Sequence, residues 1–89
     1  MSFRDVNEME EAIRAVLPAG AVLISFDRND AFFGNMTVVI KQGPKKHTFV
    51  TDRGEILHGK KLLCGSKYHQ PGQEDTFPML LQMIQKELN

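Results

Sequence analysis

The chain carries one cysteine, Cys64, so no disulfide can close within it. A single thiol fits a reducing compartment. No apolar run approaches the ~20 residues that span a bilayer. The opening Met-Ser-Phe-Arg-Asp has neither the charged start nor the apolar stretch of a secretory signal. Together these absences predict a cytoplasmic chain with no membrane partner. Neither G-x-G-x-x-G nor G-x-x-x-x-G-K-[ST] occurs, so the backbone cradles that hold nucleotide phosphates are missing. Gly65-Ser66-Lys67 is too common a tripeptide to stand in for one. Net charge is missing as well: eleven Lys and Arg balance eleven Asp and Glu. Strong non-specific nucleic-acid binding usually goes with a domain that is basic overall.

What is present describes an ordinary small globular chain. Apolar residues make up 42% and charged residues 25% of the 89 positions. That length predicts a single domain over residues 1–89, with one modest core and no room for a separate cofactor domain. No cofactor and no metal are expected.

The apolar spacing predicts the elements. Val6, Met9, Ile13, Val16 and Leu17 recur at helical spacing over Asp5–Leu17. Asp5 and Glu8 resemble a capping box, and Pro18 and Gly20 end the helix. Ala21–Asp27 alternates as a strand, with Val22, Ile24 and Phe26 expected inward. Arg28-Asn29-Asp30 reads as a turn. A second strand is expected from about Phe32 to Lys41, with Met36, Val38 and Ile40 inward, and Gly34 marks a bulge or a close backbone approach. Gln42-Gly43-Pro44-Lys45 turns the chain into a third strand, Lys46–Asp52, with Phe49 inward. Arg53-Gly54 breaks it, and Glu55–His58 offers a short fourth strand. Leu62-Leu63-Cys64 either docks a long loop or forms a last strand. Thr76–Leu88 is a second helix, capped by Asp75 or Thr76, with a broad apolar face.

The predicted fold class is therefore α+β: an antiparallel sheet of three or four strands with both helices packed on one face. The expected core is Met9, Ile13, Val16, Val22, Ile24, Phe26, Met36, Val38, Ile40, Phe49, Leu80, Met83 and Ile84. The helix–strand–strand–strand–helix order resembles that of the double-stranded RNA-binding domain, which reads RNA by shape. That family starts its last helix with lysines, whereas the stretch here is Glu74-Asp75-Thr76-Phe77-Pro78. The likeness is one of order, and no residue is carried across.

Charge is unevenly spread. Residues 1–40 hold three basic and six acidic side chains, and residues 41–67 hold seven basic and two acidic ones. Residues 68–89 hold one basic and three acidic side chains. The basic stretch supplies the candidate binding residues Lys41, Lys45, Lys46, Arg53, Lys60, Lys61 and Lys67. They could meet an acidic protein or, alternatively, the phosphates of a nucleic acid, with Phe49 and Tyr68 as stacking surfaces. The ordinary account of such lysines is that they guard sheet edges and keep loops hydrated.

Other constellations carry less. His58, Cys64 and His69 form H-x5-C-x4-H, whose ligand types suit zinc or copper, but a closed zinc site normally includes a tight pair such as C-x2-C. The simpler expectation is a buried thiol with two surface histidines. Cys64 as a nucleophile would need an adjacent base and a lowered pKa. The carboxylate pairs Asp27/Asp30 and Asp52/Glu55 flank turns, where such residues are expected for conformational reasons. The leading expectation is a non-enzymatic binding module that uses the uncovered sheet face and the basic hairpin. Its partner would be another protein or a second copy of the chain, with nucleic acid as the alternative and a metal or thiol site centred on Cys64 and its histidines as the second alternative.

Overall fold

The computed structural model describes residues 5–29, 35–52, 55–64 and 76–89, with Cys64 described by its backbone alone. Their order is α1 (Val6–Val16), β1 (Ala21–Asn29), β2 (Asn35–Gln42), β3 (Lys45–Asp52), β4 (Glu55–His58), β5 (Lys61–Cys64) and α2 (Thr76–Leu88). The strands form one five-stranded antiparallel sheet whose spatial order is the chain order. The α+β expectation holds. The fourth strand forms, and the Leu62-Leu63-Cys64 plug becomes a fifth rather than a docked loop.

Local chemistry explains the boundaries. The Asp5 carboxylate accepts the Asn7 amide at 2.9 Å, so the α1 cap bond goes to Asn7 rather than to Glu8 of a capping box. Past α1, Gly20 takes a φ of +87°, a left-handed conformation that glycine adopts without Cβ strain. The β2–β3 hairpin turns on Gly43-Pro44 alone. Gly43 has a φ of +59° and proline follows with its restricted φ, the pattern of a two-residue type II′ turn. Both strands are therefore one residue longer at the turn than alternation predicted.

β1 departs further from the sequence reading. It runs on to Asn29, so Arg28 and Asn29 are strand residues and not a turn. Leu23 opposes Ile40 and Ser25 opposes Val39, which leaves Ile24 as an extra residue in a β-bulge. The bulge reverses the phase of the strand. Before it Ala21 and Leu23 face the helices; after it Phe26 and Arg28 do. Val22 and Ile24, expected in the core, are 58% and 53% exposed. Phe26 does pack inward, edge-on to Phe77 with ring centroids 6.3 Å apart. The expected Gly34 bulge and the start of the second strand at Phe32 lie outside the described residues, as does Asp30.

The core consists of Met9, Ile13, Met36, Val38, Ile40, Phe49, Ile56, Phe77, Leu80, Ile84 and Leu88. Val16 and Met83 are only partly buried at its margin. Ile56, Phe77 and Leu88 join it beyond the predicted set. Thr51 is its buried polar member, and its hydroxyl accepts the Met36 amide at 2.9 Å. That bond satisfies a donor that burial would otherwise strand. Among the described residues no helix is long and apolar enough to cross a membrane.

The register makes a contrast between two isoleucines. Ile56→Ala is expected to cost about 2–5 kcal/mol, because it empties a fully buried site. Ile24→Thr, on the exposed bulge, should change stability by less than about 0.5 kcal/mol. Urea denaturation checks both: the Ile24 variant reports on the phase of β1, and the Ile56 variant on the burial of β4.

Candidate functional site

The sheet has two unlike faces. The inner face meets α1 and α2. The outer face repeats in cross-strand rows that follow from the pairing. Val22, Lys41 and Lys46 share the first row, and Ser25, Val39 and Thr48 the second. Asp27, Thr37, Val50, Leu57 and Leu62 share the third, and Asn29, Asn35, Asp52 and Glu55 the fourth. Val39, Val50 and Leu57 are half-buried by their neighbours, and Leu62 is 52% exposed. An apolar middle on β2 to β5, with the exposed Asp27 beside it on the edge strand β1, is thus bounded by cations at one end and carboxylates at the other.

Five of the seven predicted binding residues gather at one end of the sheet. Lys41, Lys45 and Lys46 border the β2–β3 turn. Lys60 and Lys61 sit at the β4–β5 turn, where the Gly59 amide bonds the Thr48 carbonyl at 2.8 Å. That bond brings the second turn alongside β3, two residues from Lys46. The five do not share one face, however. Lys41 and Lys46 point outward, whereas Lys61 reaches Glu87 of α2 on the helix side at 3.6 Å. Arg53 and Lys67 lie outside the described residues. The C-terminal end of α2 arrives at this same end, where the Gln42 side-chain amide donates to the Leu88 carbonyl at 3.0 Å. Cations near helix carbonyls complement the helix dipole.

The inner face holds a feature that spacing along the chain did not reveal. The Glu87 carboxylate lies 2.9 Å from His58 Nδ1, and His58 Nε2 lies 2.9 Å from His47 Nδ1. The His58 ring stacks on Phe49 with centroids 4.4 Å apart and planes 13° from parallel. An ionised carboxylate only accepts, so His58 donates from Nδ1. With both rings neutral, His58 Nε2 then accepts from His47 Nδ1, and the remaining His47 Nε2 carries a bare lone pair. That nitrogen is buried and has no partner among the described residues.

The surroundings tune this chain. Burial, then the neighbouring His58 and Lys45, push the His47 imidazole below its ordinary value, with Glu87 opposing. The hydrogen bond from His58 holds the Glu87 carboxyl below the usual carboxylate range against its own desolvation, and Lys61 adds to the effect. His58 is consequently not a surface histidine, as expected from the sequence, but a half-buried link between two strands and a helix. Its proposed companions in H-x5-C-x4-H, the Cys64 side chain and His69, lie outside the described residues. Among those described, no group of three or more His, Cys, Asp and Glu could hold a metal ion. Of the carboxylate pairs, Asp52 and Glu55 oppose each other across β3 and β4, and Asp27 lies within β1 rather than at a turn.

Both shifts give acid sensitivity of the same sign. His47 takes up a proton less readily in the folded chain than in the unfolded one. Its contribution is complete above about 6.5 and is lost as the pH falls through and below that value. The contribution of Glu87 is complete above about 4.5 and is lost as the pH falls further. The urea midpoint should therefore decline in two stages on acidification. His47→Leu should flatten the upper stage and Glu87→Gln the lower one.

Comparison of the chain with protein-family models, with curated proteins and with solved structures finds no match.

Proposed function

We propose that the chain is a non-enzymatic binding module that docks a protein partner on the outer face of the sheet. The observation that carries this reading is the outer face itself. It places Val39, Val50, Leu57 and Leu62 in one apolar patch and sets the opposed Lys41 and Lys46 at its edge. Like charges directly opposite one another on a sheet destabilise it. An acidic group on a partner relieves that repulsion, and the patch beside it provides the apolar contact from which most binding free energy comes.

A protein surface suits this arrangement better than a nucleic acid. From Lys46 to Asp52 is six residues along β3, or about 20 Å at about 3.3 Å per residue. An extended polyanion laid along the strands would leave the lysines and run into Asp52 and Glu55. A compact surface that pairs one acidic group with apolar side chains meets no such barrier.

The immobilised chain, offered a cell lysate and separately duplex and single-stranded DNA and RNA at low and high salt, tests the assignment. Protein retention is expected, and it should fall at least tenfold in both Lys41→Glu/Lys46→Glu and Leu62→Asp, a loss of about 1.4 kcal/mol or more. Salt-sensitive retention of nucleic acid that the lysine reversals abolish would instead give the surface to phosphates.

A further inference from the structure

The outer face carries two like-charge pairs of opposite sign. Lys41 opposes Lys46 across β2 and β3, and Asp52 opposes Glu55 across β3 and β4. Each pair works against the sheet that holds it. Among the described residues, no carboxylate pairs with Lys41 or Lys46 and no cation pairs with Asp52 or Glu55. The Asn35 amide donates to Asp52 at 3.3 Å, which supplies a hydrogen bond but no charge. The two pairs occupy the first and fourth rows of the same face, with Val39 in the second row and Val50, Leu57 and Leu62 in the third, where Asp27 stands at the β1 edge.

This layout is complementary to itself. A two-fold axis lying between two such faces, perpendicular to the strands and midway between the second and third rows, reverses the row order. Lys46 of one copy then lies over Asp52 of the other on the same strand, twice by symmetry, with Lys41 one strand to one side of that contact and Glu55 one strand to the other. The Val39 row lies over the Val50, Leu57 and Leu62 row. Facing sheets pack with their strands within about 30° of alignment and about 10 Å apart, a gap that side chains of these lengths fill. An axis parallel to the strands would set lysine over lysine, so the charges select one orientation. An isologous contact of this kind closes at two copies.

We infer that the partner of the outer face is a second copy of this chain, joined face to face with the lysine row of each copy over the acidic row of the other. The inference rests on the reading of that face as the binding surface. The face measures about 20 Å along the strands and about 19 Å across four strand spacings. That puts it at the low end of specific interfaces, so the dimer is weak and salt-sensitive.

Sedimentation and light scattering from low to high micromolar concentration, at low and high salt, provide the test. The wild-type chain should move from its 10.1 kDa mass toward twice that value at low salt. Lys41→Glu/Lys46→Glu and Asp52→Lys/Glu55→Lys, each shown folded by circular dichroism, should each stay monomeric. Mixing the two should restore the twofold mass as a heterodimer, because the first row of each then faces a fourth row of opposite sign. The chain with all four reversals should dimerise again. A wild-type chain monomeric at high micromolar concentration overturns the inference, while protein retention in the preceding experiment still stands as support for the outer face. Dimers that persist in both reversal variants, or variants whose mixture remains monomeric, overturn it too.

Discussion

Two helices can cover one face of a five-stranded sheet, and the rest of the molecule depends on which face that is. The choice is made by apolar alternation in β2 and β3. Met36, Val38, Ile40 and Phe49 project to one side and are buried there by α1 and α2. Every other side chain inherits its surroundings from that choice. Thr51 needs a buried partner because it sits on the covered side. Val39 and Val50 stay at the surface because they sit on the other.

The bulge at Ile24 is how β1 conforms to this constraint. Strict alternation of Val22, Ile24 and Phe26 would set all three on one side. The strand must also bring Arg28 under α1, where its guanidinium meets the Met9 sulfur at 3.7 Å. One extra residue permits Leu23 and Phe26 to serve the same core. It leaves Val22 and Ile24 exposed on an edge strand, where a bulge also discourages further strand pairing.

Charge follows the same geometry. Antiparallel strands in chain order send the β2–β3 and β4–β5 turns to one end, and the lysines at those turns go with them. The carboxylates at the β3–β4 turn go to the other end. The polarity of the sheet is thus a product of its up-and-down topology acting on residues dispersed along the chain. On the covered side the same topology draws His47, His58 and Glu87 together from β3, β4 and α2. The chain of hydrogen bonds they make ties the last turn of α2 to the sheet.

Much of this was legible in the amino-acid order. Period 3.6 in Val6–Val16 and Thr76–Leu88, and period 2 in β2 and β3, are local consequences of backbone geometry, so they marked the elements and most of the core. The turn at Gly43-Pro44 was legible for the same reason. The phase of β1 was not, because a bulge is a compromise between a strand and the neighbours on both its sides. Ile56 and Leu88 were missed as core residues because their burial depends on where a short strand and a helix end come to rest. Lys41 and Lys46 were readable as basic residues of a hairpin, but not as a row opposite Asp52 and Glu55. His47 and Glu87 stand forty residues apart and no spacing rule links them. Residue order by itself determined which segments are helix or strand, since those patterns are set by near neighbours. Tertiary structure alone decided the faces, the charged rows and the histidine chain, since each is a contact between segments that the chain brings together only by folding.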